Sequence, residues 1–186
     1  PQSDFTSFSF CRDGLGGTDE VQCVELDPSG KGTFVLTYAD ADTVDVELQL
    51  SASGTGKFID LLAETDYLAD ADSYDSGREV LSLGLKTLTL EGPAGSREAV
   101  FYLAAAREAI ELATFLDRLI TQEMLLLDIE TALQFDRLWR PSKFTALSVT
   151  ACSHTSLVLD PHSTTQGPAI EIRAEIKFDP KEEGCP

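Results

Sequence analysis

Basic residues are scarce in this sequence. Lys and Arg number 14 against 32 Asp and Glu, which gives a net charge of −18 at pH 7. Because phosphate groups are bound by basic surfaces, this imbalance argues against nucleic acid as a partner. It also argues against docking on anionic membranes.

Long apolar segments are absent as well. No run approaches the roughly 20 consecutive apolar residues that a transmembrane helix requires, so we expect no transmembrane segment. The chain is nevertheless 42% hydrophobic over 186 residues. That length suffices for one domain that buries a core without metals or bridges.

Catalytic motifs are also missing. The sequence has two histidines, His154 and His162, and no HExxH, G-x-S-x-G, P-loop or G-x-G-x-x-G pattern. Ser156, His162 and Asp160 could be read as a triad, but no nucleophile turn accompanies them. The sequence therefore predicts neither an enzyme nor a cofactor.

Apolar residues alternate with polar ones in several segments, which is typical of half-buried strands. The clearest are 44–50 and 169–178, and further strands are predicted near 5–10, 21–26, 33–38, 86–91 and 99–103. Apolar residues at helical spacing predict a helix over 56–67, with Ser53 or Thr55 as N-cap. The sum is an α+β fold: an antiparallel sheet with two to three helices packed on one face.

A long segment over 105–140 contains neither Gly nor Pro and ends before Pro141. It predicts one long or bent helix, or two helices that meet near 121–123. We expect its apolar stripe to be buried at Leu112, Leu116, Leu119 and Leu127. The whole chain, 1–186, is predicted to be a single α+β domain, with 145–186 as a C-terminal strand-rich segment.

Four cysteines lack the CxxC spacing of zinc sites. An even number at wide spacing is typical of two disulfides and of an oxidising compartment, although four buried, reduced cysteines in a cytosolic protein are the alternative. The predicted pairs are Cys11–Cys23, across the first hairpin, and Cys152–Cys185, which flank a last hairpin predicted between 157–159 and 169–178. A Cys185 that pairs between molecules stays open.

Two acidic heptapeptides resemble each other, at 39–45 and 69–75. Clustered carboxylates are the ligands that Ca²⁺ prefers, but the spacing does not match an EF-hand loop. Calcium is therefore a hypothesis only, with the candidate ligands Asp70, Asp72 and Asp75. The alternative is a pair of solvated acidic turns.

One resemblance concerns the order of motifs over about Phe8 to Leu119. A Cys- and Gly-rich turn and a short strand precede the hairpin DPSGKG, the helix KFIDLLAETDYL, a second hairpin and a helix with ELATFLDRL. This layout resembles small secreted bacterial domains of unknown function, some of which are similar to protease-inhibitor modules. The resemblance is architectural and implies no catalytic residue.

Two classes of function remain open at this point. The first is a non-enzymatic, extracytoplasmic domain (periplasmic, secreted or lipid-anchored) that binds a protein or a small ligand through its sheet edge or loops. The second is a secreted protease inhibitor or hydrolase with an unrecognised site. The missing motifs and the expected disulfides favour the first.

Overall fold

The computed structural model describes residues 5–139, 144–150, 155–159 and 170–175. These residues contain two α-helices and nine strands, so the α+β prediction is confirmed. Chain contacts divide into two units, 1–120 and 121–185, and the single domain over 1–186 stays a prediction. The elements are β1 Ser7–Asp13, β2 Val21–Leu26, β3 Lys31–Thr37, β4 Thr43–Gln49, α1 Ala52–Glu64, β5 Leu85–Gly92, β6 Gly95–Phe101, α2 Arg107–Trp139, β7 Phe144–Thr150, β8 Thr155–Leu159 and β9 Ile170–Glu175.

The first unit contains a six-stranded antiparallel sheet in the order β4-β3-β2-β1-β5-β6. The first four strands form a meander in which each strand pairs with the next along the chain. The chain then returns through α1 and places β5 on the free side of β1. The first strand in sequence therefore lies inside the sheet, between β2 and β5.

Both helices cover the same face of this sheet, which we call the inner face. Phe8 and Arg12 are buried and, being an even number of residues apart on β1, point to one side. Phe58 of α1 packs against Phe8, with ring centroids 5.2 Å apart. Asp117 of α2 forms an ion pair with Arg12. The predicted packing of helices on one face is thus observed.

Helix α1 begins earlier than predicted. Its N-cap is Ser51, whose hydroxyl accepts a hydrogen bond from the Gly54 amide at 3.0 Å, rather than Ser53 or Thr55. Gly54 and Gly56 lie inside the helix. Because glycine weakens a helix interior, the sequence pattern placed the predicted start of this helix at Gly56.

Helix α2 is one helix of 33 residues rather than two. Leu112, Leu116 and Leu119 are fully buried, as predicted, whereas Leu127 is only half-buried. Leu125 is 43% exposed, so the apolar run at 124–127 is not covered on every side. In the described part of the chain, no helix has the length and apolarity needed to cross a membrane.

The β2–β3 turn forms as the Asp-Pro-Ser-Gly sequence predicts. The Asp27 carboxylate accepts hydrogen bonds from the amides of Ser29 and Lys31, at 2.7 and 3.1 Å. Gly30 has φ +75°, a backbone conformation that glycine adopts without strain. The hydrogen bond from Ser29 holds the pKa of Asp27 below its ordinary value.

The second unit contains a three-stranded sheet in the order β8-β7-β9. β7 pairs antiparallel with β8 and parallel with β9. The predicted hairpin between the last two strands is therefore wrong, since both flank β7 instead of pairing with each other. A parallel pair requires a long connection, and alternation within a strand carries no information about its partner's direction.

Candidate functional site

A disulfide joins Cys11 and Cys23, which lie directly opposite each other on β1 and β2. Both residues are half-buried and point to the face of the sheet opposite the helices, the outer face. The predicted Cys11–Cys23 pair is confirmed. The predicted Cys152–Cys185 pair lies outside the described residues, as do His154 and His162.

The candidate calcium ligands lie on the segment that follows α1. Asp75 accepts a hydrogen bond from the Gly77 amide at 3.0 Å, and the backbone carbonyl of Asp70 accepts one from the Ser73 hydroxyl at 2.8 Å. Among the residues that the structure describes, no three acidic, His or Cys side chains group together as a metal site. Calcium binding by Asp70, Asp72 and Asp75 stays a prediction.

The segment 66–73 contains an unusual left-handed turn. Asp66, Tyr67 and Leu68 have φ values of 47°, 53° and 59°, a region that non-glycine residues rarely adopt. The turn is held from β6, where Arg97 donates hydrogen bonds to the carbonyls of Asp66 and Tyr67 at 3.4 and 2.7 Å. Tyr74 adds a buried hydrogen bond to the Thr65 carbonyl at 2.9 Å. This segment thereby packs against β6, one of the two outermost strands.

A buried charged cluster lies under α2. Arg12, Gln22 and Lys86 are neighbours across β2, β1 and β5 on the inner face. The Arg12 Nε donates to the Gln22 side-chain oxygen at 2.6 Å. Asp117 of α2 lies 3.4 Å from Arg12 and 3.6 Å from Lys86. One carboxylate thus faces two buried cations, and this contact connects α2 to the centre of the sheet.

Sequence reasoning missed this cluster, although a signal was present. Arg12 continues the inward alternation of Phe8 and Phe10, and Lys86 opens that of Leu88 and Leu90. A cation at an inward position of a strand requires a buried acceptor, because an unpaired buried charge is costly. The acceptor could not be identified from sequence. Asp117 is distant from Arg12 along the chain, and no pattern in the neighbouring residues distinguishes it from the other acidic residues of the helix.

Burial controls the electrostatics of the cluster. Desolvation lowers the pKa of Arg12, and the nearby Asp117 carboxylate opposes that shift. Desolvation also raises the pKa of Asp117, against the attraction of Lys86 and Arg12. The cluster fixes the position of α2 on the sheet. Its side chains form hydrogen bonds and ion pairs with one another.

The raised pKa of Asp117 predicts a pH-dependent stability. Between its ordinary value of 3.8 and the raised value, the folded state binds more protons at Asp117 than the unfolded state does. The free energy of unfolding of the wild type, relative to Asp117→Asn, should therefore fall as pH rises through this window. Urea denaturation of both proteins from about pH 3 to pH 7 measures it. A difference that grows with pH contradicts the prediction.

Strand β4 occupies one end of the sheet order, and within the described ranges it pairs with β3 alone. The hydrogen bonds at the two ends of this pair show which residues of β4 direct their backbone groups toward β3. The Leu50 amide donates to the Gly30 carbonyl at 2.8 Å, and the Tyr38 amide donates to the Asp42 carbonyl at 2.9 Å. Both bonds join even-numbered residues.

Hydrogen-bonded pairs recur at every second residue of an antiparallel ladder. The even-numbered residues of β4 therefore direct their amide and carbonyl groups toward β3. The odd-numbered residues direct theirs to the open side of the sheet: Thr43, Asp45, Glu47 and Gln49. We call this row of backbone groups the β4 edge.

The side chains along the β4 edge differ between the two faces. Asp45 and Glu47 are exposed on the outer face, whereas Val44 and Val46 are half-exposed on the inner face. An open groove continues from this strand around the β3–β4 turn, lined by Glu20, Tyr38, Asp40, Asp42 and their neighbours. The edge is thus acidic on one side, apolar on the other, and unblocked by Pro or Lys along β4.

Comparison with known proteins adds no relative. No protein-family model matches the chain, and no curated protein shows a significant match to it.

Proposed function

We propose that the protein is a non-enzymatic extracytoplasmic domain that binds a partner protein. The β4 edge carries the binding role, because no described strand pairs with its open side, and such a row of open backbone donors and acceptors is a template for an added strand. The resemblance to small secreted bacterial domains agrees with this role. The proposal extends to the compartment, which rests on a separate observation.

The Cys11–Cys23 disulfide supports the extracytoplasmic location. Disulfides persist in oxidising compartments and are rare in a reducing cytosol. The two cysteines lie on adjacent strands of the sheet centre, so they are already within bonding range in the folded chain, with Cα atoms 4.1 Å apart.

Thiol trapping in the native cell tests the location. Cells are quenched in acid, free thiols are alkylated, and the protein is mapped by mass spectrometry without reduction. We expect Cys11 and Cys23 to be unmodified and joined in one cross-linked peptide pair. A parallel sample that is reduced before alkylation should be fully modified and serves as the control. Alkylated Cys11 and Cys23 in the first sample would place the protein in a reducing compartment.

Photo-cross-linking in the same cells tests the binding role. A photoreactive amino acid is placed at Gln49 on β4, Glu25 on the outer face or Glu98 on β6, all exposed positions. A defined cross-linked protein at any of the three supports a binding domain. No cross-link at any position, together with hydrolysis of a general esterase or protease substrate, would favour the hydrolase alternative instead.

A further inference from the structure

The alternation of residues along β4 determines which side chains a strand added to the β4 edge would place on each face of the sheet. A residue opposite an odd-numbered β4 residue shares its face of the sheet. Such residues in an added strand therefore lie beside Asp45 and Glu47 on the outer face. The residues between them lie beside Val44 and Val46 on the inner face.

Charge excludes a second copy of this chain as the preferred occupant at neutral pH. If two β4 strands paired antiparallel around a two-fold axis, Asp45 and Glu47 of one copy would lie beside the same residues of the other. Like charges placed opposite each other across strands are destabilising. A partner with lysine or arginine at these positions turns the same contacts into attractive pairs.

The inner face of the sheet determines which side chains should alternate with the basic ones in an added strand. Val44 and Val46 are half-exposed, whereas Leu48 farther along β4 is only 3% exposed. Apolar side chains on an added strand would cover the two valines and remove them from water. The acidic groove at the β3–β4 turn, with Tyr38 38% exposed, extends the favourable charge beyond the strand.

The opposite end of the sheet, strand β6, is less suited to the addition of a strand than the β4 edge. The segment 66–73 packs against β6, and Arg97 of β6 donates hydrogen bonds to it. The exposed residues of β6 include Glu98 on the outer face and Arg97 on the inner face, so its charge is mixed. The β4 edge therefore has the stronger preference for one kind of partner.

We infer that the β4 edge binds an extended, basic peptide segment in which Lys or Arg alternates with apolar residues, through strand addition. This inference rests on the proposed function and names the class of its partner. Backbone hydrogen bonds supply the affinity, and the alternation of charge and apolar side chains supplies the selectivity.

Peptide binding tests the inference directly. The probe is a fluorescein-labelled octapeptide that alternates lysine and valine, and the control peptide alternates glutamate and valine. By anisotropy, we expect saturable binding of the lysine peptide that weakens as salt is added, and no binding of the glutamate peptide. Equal binding of the two peptides, or none of either, overturns the inference.

Charge reversal on the edge provides the matched variants. D45K/E47K should weaken binding of the lysine peptide about tenfold and permit binding of the glutamate peptide. E25K/E98K changes the net charge by the same amount but on β2 and β6, and should leave the affinity nearly unchanged. If both variants weaken binding equally, the attraction is a property of net charge and the inference fails.

A proline scan and hydrogen exchange test strand addition itself. Pro at Glu47 removes an amide that faces the open side, whereas Pro at Val46 removes one that bonds to β3. Glu47→Pro should therefore abolish peptide binding while the protein stays folded by circular dichroism. In the wild type, the peptide should slow exchange of the Asp45 and Glu47 amides and leave those of Val44 and Val46 unchanged.

The outcomes separate this inference from the proposed function. Cross-links from Glu25 or Glu98 alone, with no peptide binding at β4, would support a binding domain and contradict the β4 edge as its site. Exchange protection confined to the strands of Glu25 and Glu98, β2 and β6, would do the same. Protection at Asp45 and Glu47 with loss on Glu47→Pro supports both.

Discussion

Replacing Leu116 with alanine is expected to lower the free energy of unfolding by about 2–5 kcal/mol. Leu116 is fully buried on α2, so the substitution removes apolar contacts and leaves a cavity under the helix. Urea denaturation monitored by circular dichroism measures the loss.

Ile110→Ala is the matched control for this substitution. Ile110 lies on the same helix but is 43% exposed, so its truncation should cost less than about 1 kcal/mol. A loss at Leu116 no larger than the loss at Ile110 would mean that this stripe of α2 is not packed on the sheet.

Replacing Asp117 with leucine is expected to destabilise the protein by about 3 kcal/mol, because Arg12 and Lys86 then stay buried without their carboxylate. Asp117→Asn keeps an oxygen acceptor for Arg12 and should cost clearly less. Thermal and urea unfolding of the two variants compare them.

A fully apolar version of the cluster provides the complementary measurement. R12M/Q22M/K86M/D117L removes both cations together with their partners. Replacing a buried ionic group by apolar residues of similar volume is often neutral or stabilising. We therefore expect this variant to recover most of the stability that Asp117→Leu alone loses. If it is as unstable as Asp117→Leu, the loss comes from packing and not from uncompensated charge.

Local patterns predicted the first unit well. The bounds of β2 were predicted to the residue, because VQCVEL alternates between two turn sequences that stop a strand. The β2–β3 turn followed from Asp27 to Gly30, whose side chains and backbone preferences act within four residues. The Cys11–Cys23 pair followed from the same short-range geometry.

Pairings and contacts between residues far apart along the chain could not be predicted from the sequence. Nothing in β5 indicates that it pairs with β1 and not only with β6, and nothing in β9 indicates a parallel partner. The charged cluster depends on residues of β1, β2, β5 and α2 that meet only in the fold. The β4 edge likewise depends on strand order and hydrogen-bond phase, both set by the whole sheet.

The position of β1 inside the sheet has a consequence for the rate of folding. Ser7 lies opposite Glu91, so β1 and β5 can pair only when the intervening chain, which contains β2, β3, β4 and α1, brings these distant segments together. Pairings between residues so distant along the chain impose a large loop-closure entropy and slow the folding of a domain. Until β5 arrives, both outermost strands of the meander, β1 and β4, present open backbone. We therefore expect partly folded chains in which β5 has not yet paired with β1 to be more prone to aggregate than the native protein.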